Sequence, residues 1–210
     1  LTPHTYTLVE MPWARILKSV EKGTVDMAVS ASITQERLQF SYFSNHPFRY
    51  NEHMIFGHKA KLAELKKIKT LADISNSNII LGVLRAAIYS DTYNKLLKNP
   101  SFAKQLIYFD SDKNMSEVVI KRRVDAYIES EIEGNYFLSK KSEYRDNIIP
   151  IVHIAKGDES AGYLMFSKKT TSPNTIPEFD EALKKIYALG IYDRIANKYK
   201  QADRPTGIND

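Results

Sequence analysis

Apolar positions along this chain keep changing rhythm, from every third or fourth residue to short unbroken runs. From Trp13 onward, Ile16, Leu17 and Val20 fall on one face of a helix. Pro12 stands at its first turn, where a missing N–H costs nothing, and Gly23 supplies a left-handed cap. Val25 to Val29 is a short apolar run, which predicts a buried strand running out at Ser30, Ala31 and Ser32. Thr34 is placed to cap a short helix that carries Arg37. Phe40 to Phe48 is aromatic, with Pro47 as a breaker.

The same alternation covers the rest of the chain. Strands are predicted at Tyr6 to Val9, His53 to His58, Asn78 to Leu84, Leu106 to Phe109, Val124 to Ile128, Ile148 to Ile154 and Tyr163 to Phe166. Lys59 to Asn78 is polar and lysine-rich, with an apolar patch at Leu71 and Ile74. A helix is predicted over Ala86 to Asn99, stopped by Pro100. Another is marked by Met115, Val118 and Val119 and capped by Asn114 or Asp112. Ile132 to Ser139, Pro177 to Leu189 and Ile191 to Tyr199 complete the helices. Lys156 to Ser160 is a polar loop, and the tail after Gln201 is expected to be loose. Strands alternating with helices predict βαβ units and parallel sheets covered on both faces. One echo supports two similar lobes: Val25-Asp26 and Val124-Asp125 each follow a helix and open a strand that ends in serine. The plain alternative is that this is a common helix-to-strand junction.

Composition narrows the class without naming it. The 210 residues, 43% of them hydrophobic, suit one large domain or two small ones. No run reaches membrane-spanning length, and no secretory leader stands at Leu1, as a mature exported chain would also read. The absence of cysteine excludes disulfides and thiol catalysis and fits either compartment. The net charge of +5 includes clusters at Lys59, Lys61, Lys66, Lys67 and Lys69 and at Lys121, Arg122 and Arg123. Nucleic-acid surfaces interleave such charge with aromatics, so these clusters read as solvated helix faces.

The candidate chemistry lies at the first buried strand. A strand's carboxyl end in an open α/β sheet faces a ligand crevice. Ser30 and Ser32 are short polar groups there, and Arg37 offers a planar fork for a carboxylate or phosphate. The alternative is a surface arginine beside turn serines. For catalysis, only Glu129, Glu131, His46 and His53 could supply an acid and a base, and no hydrolase, zinc or phosphate-loop motif is present. The five histidines have no metal-ligand spacing, so no metal is expected.

Read together, G-x-x-D from Gly23 to Asp26, S-x-S-x-T-x-x-R from Ser30 to Arg37, and F-S-x-x-P-F from Phe43 to Phe48 resemble the bacterial extracellular solute-binding proteins of family 3. Pro12 to Arg15 looks like a variant of that family's helix start, and Ile191 to Tyr199 resembles its closing helix. The resemblance implies a type II periplasmic binding fold, an α/β clamshell whose lobes are mostly parallel sheets flanked by helices. Residues 1–57 and 167–210 would form lobe one and 58–166 an inserted lobe two, with Met54–Phe56 and Tyr163–Phe166 as crossings. The family has one more strand and helix ahead of Tyr6, so the sequence is expected to be cut there.

The same resemblance implies a periplasmic protein, a monomer without cofactor or catalytic residues, that binds a small solute for the membrane subunits of an ABC importer. A sensing domain, or a cleft dehydratase or lyase, is the alternative. Arg37 matches the arginine that grips the ligand carboxylate, and an open cleft is expected to wet it. Ser30, Ala31 and Ser32 match the flanking contacts, and Trp13 a cleft-lining helix start. Arg85, Ala87 and Ile88 match a second-lobe loop whose free N–H groups bind anions at a helix start, here without its hydroxyl. Ser130 stands where amino-acid binders carry an aspartate for the ligand ammonium. Strand alternation would put Glu129 and Glu131 on a face that Ser130 does not share. The implied solute is therefore carboxylate-bearing but lacks an ammonium contact at Ser130.

Overall fold

The computed structural model describes residues 4–200. The expectation of a loose tail after Gln201 lies outside them. Helix α1 (Trp13–Lys22) opens after Pro12 and closes on Gly23, whose φ of 75° is the left-handed cap. Then follow β1 (Met27–Ala31), α2 (Gln35–Phe40), β2 (Ser41–Phe43), β3 (Arg49–Tyr50) and β4 (His53–His58). The lysine-rich stretch contains α3 (Leu62–Leu65) and 3-10 turns, and leads to β5 (Leu81–Leu84). The chain continues through α4 (Asp91–Leu96), α5 (Pro100–Ala103), β6 (Leu106–Phe109), α6 (Met115–Ile120) and β7 (Ala126–Ser130). It ends with α7 (Glu131–Ser139), α8 (Ser142–Asn147), β8 (Ile148–His153), β9 (Ala161–Ser167), α9 (Ile176–Ala188) and α10 (Ile191–Lys200).

Several expectations fail locally, among them a side-chain cap on α6, since Asn114 stands at its N-cap without a capping hydrogen bond. Tyr6 to Val9 makes no strand; the stretch runs without a ladder partner and leaves Leu8 95% exposed. The helix expected from Ala86 starts only at Asp91. Ala86 takes a left-handed φ of 62°, the Ala87 N–H donates to the Leu84 carbonyl, and the Ser90 side chain caps α4. Pro100 does more than stop a helix. It opens α5 at the first turn, with the Asn99 side chain as cap.

The chain divides into two compact units, Leu1–Tyr50 with Ala161–Ile195, and Asn51–Ser160 with Ala196–Asp210. In the first, β9 pairs with β1, β2 and β3, antiparallel in every case. The mostly parallel sheet expected for lobe one is thus corrected among the described residues: the late strand β9 runs against all three early ones. Alternation along β9 feeds two cores. Leu164 and Phe166 pack with Ile176, Phe179 and Leu183, while Met165 packs with Val20, Ala28 and Ala31. A buried carboxylate pins the loop after β2. Asp180 accepts the backbone N–H of Asn45 at 2.7 Å, the Asn45 amide at 2.6 Å and the His46 N–H at 3.2 Å.

The second unit holds a five-stranded sheet in the order β6-β5-β7-β4-β8. Strand β5 runs parallel to β6 and β7, while β4 runs antiparallel to β7 and β8. Strand β4 lies wholly in this sheet and β9 wholly in the other, each just after a boundary between the units. One face of the sheet buries Ile55, Leu81, Val83 and Ile128; the other buries Phe56, Tyr127, Val119 and Leu138. Phe56 stacks on Tyr127 with centroids 5.4 Å apart. It also presses on Gly134 of α7, where a Cβ would fall 2.3 Å from the ring. Gly134→Ala should therefore destabilise the protein by about 1–3 kcal/mol, outweighing the roughly 1 kcal/mol of helix propensity gained. Denaturant unfolding would show a lower midpoint at unchanged slope; a midpoint raised by the substitution would contradict the packing.

Candidate functional site

The candidate residues fall into two groups, one on each unit. In the first unit the strand register slips between Ala28 and Ala31, forming an irregularity at the end of β1. Ser30 sits there with φ of 61°, a left-handed conformation that costs about 1–3 kcal/mol in a residue with a side chain. Its hydroxyl accepts the Arg49 Nε–H at 2.8 Å. Arg49 escaped the sequence reading because it lies 19 residues away on another strand. Ala31 is fully buried in the core, so its side chain is part of the packing.

Arg37 is the centre of this group. The Thr34 hydroxyl accepts the Arg37 N–H at 3.1 Å, starting α2 where the sequence places it. The guanidinium donates from Nη1 to the Ser32 carbonyl at 2.8 Å and lies 5.6 Å from the centre of the half-buried Trp13 ring. Arg37 is only 5% exposed, so the expectation of a wetted arginine is corrected. Burial lowers its pKa, opposed by the neighbouring Glu36 carboxylate, and an arginine remains a cation at neutral pH. The first unit thus holds a planar charge in one orientation, suited to a bidentate anion.

In the second unit the predicted residues separate. Arg85 is exposed and pairs through Nε with Asp110 at 2.7 Å, beside the Tyr108 ring. Ala87 and Ile88 lie in the irregular stretch before α4, with the Ala87 N–H already given to Leu84. The stretch is braced instead by Tyr89. Its buried hydroxyl accepts the Leu84 N–H at 2.7 Å, and its carbonyl lies 3.2 Å from His53 Nδ1.

Strand β7 delivers Glu129 and Ser130 to its carboxyl end. Ser130 is the N-cap of α7: its hydroxyl accepts the Glu133 N–H at 3.2 Å and donates to Glu133 Oε2 at 2.8 Å. Glu129 is 8% exposed and accepts the Ser130 N–H at 2.8 Å. The shared face expected for Glu129 and Glu131 does not form, because the chain turns into α7 at Ser130. Glu131 instead pairs with His153 at 3.3 Å. The company of Glu129 is Glu133 and Asp112, neither singled out in the sequence as an acidic partner. Burial first, then these two charges, raise the Glu129 pKa well above 4.5. Burial and Glu133 raise that of Asp112 as well. Of the groups considered for catalysis, His46 belongs to the first unit and is tied by its N–H to Asp180, whereas His53 turns to Tyr89.

The sequence model of the bacterial extracellular solute-binding proteins, family 3, matches residues 3–202. A comparison with curated proteins finds no match. Among solved structures, the chain is similar to the amino acid ABC transporter substrate-binding protein AbpA from Streptococcus pneumoniae, bound to L-arginine. The identity is 21% and the TM-score 0.73, over 93% of this chain and 76% of that one. A structure from work on glutathione import via GshT and the cystine ABC importer TcyBC of Streptococcus mutans matches at 19% identity and TM-score 0.69. It covers 96% of this chain and 79% of its own. A histidine kinase sensor domain with similarity to periplasmic binding proteins matches at 15% identity and TM-score 0.67, over 90% and 75%.

The carboxyl group of Glu129 gives a pH signature with a definite sign. Its folded pKa lies above the ordinary 4.5, so between those two values the folded state binds more protons than the unfolded one. Stability should fall as pH rises through that window, and the same sign holds for Asp112. Thermal melts from about pH 5 to about pH 8 should show this decline in the native protein and a flatter profile in Glu129→Gln. Identical slopes for the two would remove Glu129 as its source.

Proposed function

The chain belongs to the bacterial extracellular solute-binding proteins, family 3, and on that premise we propose that it captures a small carboxylate-bearing solute for an ABC importer. The fold is that of the type II periplasmic binding proteins. On this reading the protein works outside the cytoplasmic membrane as a monomer, without turnover or cofactor. One lobe, the unit built on β1, β2, β3 and β9, would grip the solute carboxylate, and the other, the unit built on β4 to β8, would contact the remainder. Closure would follow because the solute touches both lobes only in the closed state.

What supports the reading is the buried, oriented Arg37, set on the Ser32 carbonyl beside Trp13 within the motif the family match covers. Ser30 and Ser32 would flank the carboxylate. In the second lobe, the position for an ammonium contact is Ser130, whose hydroxyl is occupied with Glu133. Glu129 is held toward its neutral form and would donate a hydrogen bond rather than balance a cation. An organic acid, a modified amino acid, or a larger solute whose amine lies elsewhere fits these groups better than a simple α-amino acid. A sensing role is the second reading, favoured by the likeness to a kinase sensor domain; it would use the same residues.

Two measurements test this. Replacing Arg37 with Ala should weaken binding of an anionic solute by about 2–5 kcal/mol in calorimetry. Unchanged affinity would remove Arg37 from the site. A thermal-shift screen should give larger shifts with organic acids and small peptides than with the common amino acids, since a bound ligand stabilises by mass action. A strong shift with a common amino acid, lost in Ser130→Ala but kept in Glu129→Gln and Glu131→Gln, would overturn the assignment of solute class.

A further inference from the structure

The end of the second unit's sheet where β5, β6 and β7 begin and β4 finishes gathers two basic segments that the sequence keeps far apart. One is the lysine-rich run around α3; the other joins α6 to β7. Leu65 of α3 packs directly on Gly57, where a Cβ would fall 2.5 Å from its Cδ1. The next residue, His58, donates its N–H to the Asp125 carbonyl at 2.9 Å, and Arg122 Nη1 lies 3.2 Å from its Nδ1. Both runs are thereby fixed to the same sheet end.

The charge there is one-sided. Residues 58–73 and 117–125 contain eight Lys and Arg against four Asp and Glu, an excess of four in a chain whose net charge is +5. The four acids are engaged locally. Glu64 pairs with Lys61 at 3.2 Å and Glu117 with Lys121. Asp73 accepts the N–H groups of Lys69 and Thr70, and Asp125 that of Ile80. Lys59, Lys66, Lys67, Lys69 and Arg123 are exposed and make no ion pair among the described residues. Clustering like charges this way opposes folding through self-repulsion.

The surface chemistry identifies the partner. The larger apolar residues of both segments are buried (Leu65, Ile68, Leu71, Val118, Val119 and Val124) or half-buried (Leu62 and Ile120), so the patch lacks the exposed apolar anchors of a protein interface. Neither segment contains a Phe, Tyr or Trp on which a nucleic-acid base could stack. A layer of anionic head groups needs only exposed cations within a Debye length. We infer that this end of the second unit docks on anionic phospholipid head groups. The patch lies at the opposite end of β7 from Ser130, about 13 Å of strand away, so docking leaves the candidate solute groups uncovered. The inference does not depend on the solute.

Vesicle flotation of the full chain tests it. Binding is expected to vesicles of equal phosphatidylcholine and phosphatidylglycerol and not to phosphatidylcholine alone, and should be lost at about 0.5 M salt. The variant Lys66→Gln, Lys67→Gln, Lys69→Gln should bind on the order of a hundredfold more weakly. A control with the same charge change, Lys18→Gln, Lys22→Gln, Lys185→Gln, should bind as the native protein does. Thermal melts establish that both variants are folded. No preference for the anionic vesicles, or equal loss in the control, would overturn the inference. So would tighter binding to a polyglutamate peptide than to vesicles, which would assign the patch to an acidic protein.

Discussion

The first unit exists because one strand satisfies three others. Strands β1, β2 and β3 pair with β9 and not with one another, so their backbone groups find ladder partners only when β9 lies between them. That constraint reaches the candidate chemistry. The slipped register between β1 and β9 sets Ser30 in its left-handed conformation and turns the chain toward Ser32 and α2. Arg37 is then placed by its helix cap and by a backbone carbonyl, both products of that local geometry. A desolvated guanidinium is tolerated in part because Nη1 donates to the Ser32 carbonyl and the flat face meets the Trp13 ring.

The second unit solves a different problem. Its sheet is closed on both faces, and the conflict is concentrated at the end of β7, where carboxyl groups share a small volume. A helix start accommodates them in part. The Ser130 amide and hydroxyl supply donors to Glu129 and Glu133, and the first turn of α7 favours negative charge. Burial still works against the ionisation of Glu129 and Asp112.

Much of this was legible in the residues, and the failures have physical causes. The reach of α1 could be read because Pro12, Gly23 and the apolar face agree. Arg37 could be read because Thr34 three residues earlier announces its helix. Local signals did not carry strand direction: nothing near Met27 or Ser41 reveals that the partner strand comes from residue 161 onward. They also overextended the helix at Ala86, where an ordinary alanine takes a backbone conformation normally left to glycine. The role of Asp180 was hidden for the opposite reason. It reads as one more exposed acid on an amphipathic helix, while its partners lie 135 residues away in a loop. Glu129 was visible as a candidate, but its companions Glu133 and Asp112 come together only through the turn at Ser130 and the approach of a separate loop. Periodicity pointed to Glu131 instead because it assumes that the strand continues.

The dependence of the first unit on β9 also orders events during synthesis. The ribosome releases β1, β2 and β3 early, but the strand that unites them follows more than a hundred residues later. Over that interval the second unit emerges almost whole, and its sheet is assembled from strands within Asn51–Ser160. The inserted body can therefore acquire its core before its host has one. The early strands wait as unpaired edges, open to mispairing and to chaperones, until Ala161–Ser167 arrives. Long-range closure of this kind slows folding, and the slow step belongs to the unit whose sequence begins first.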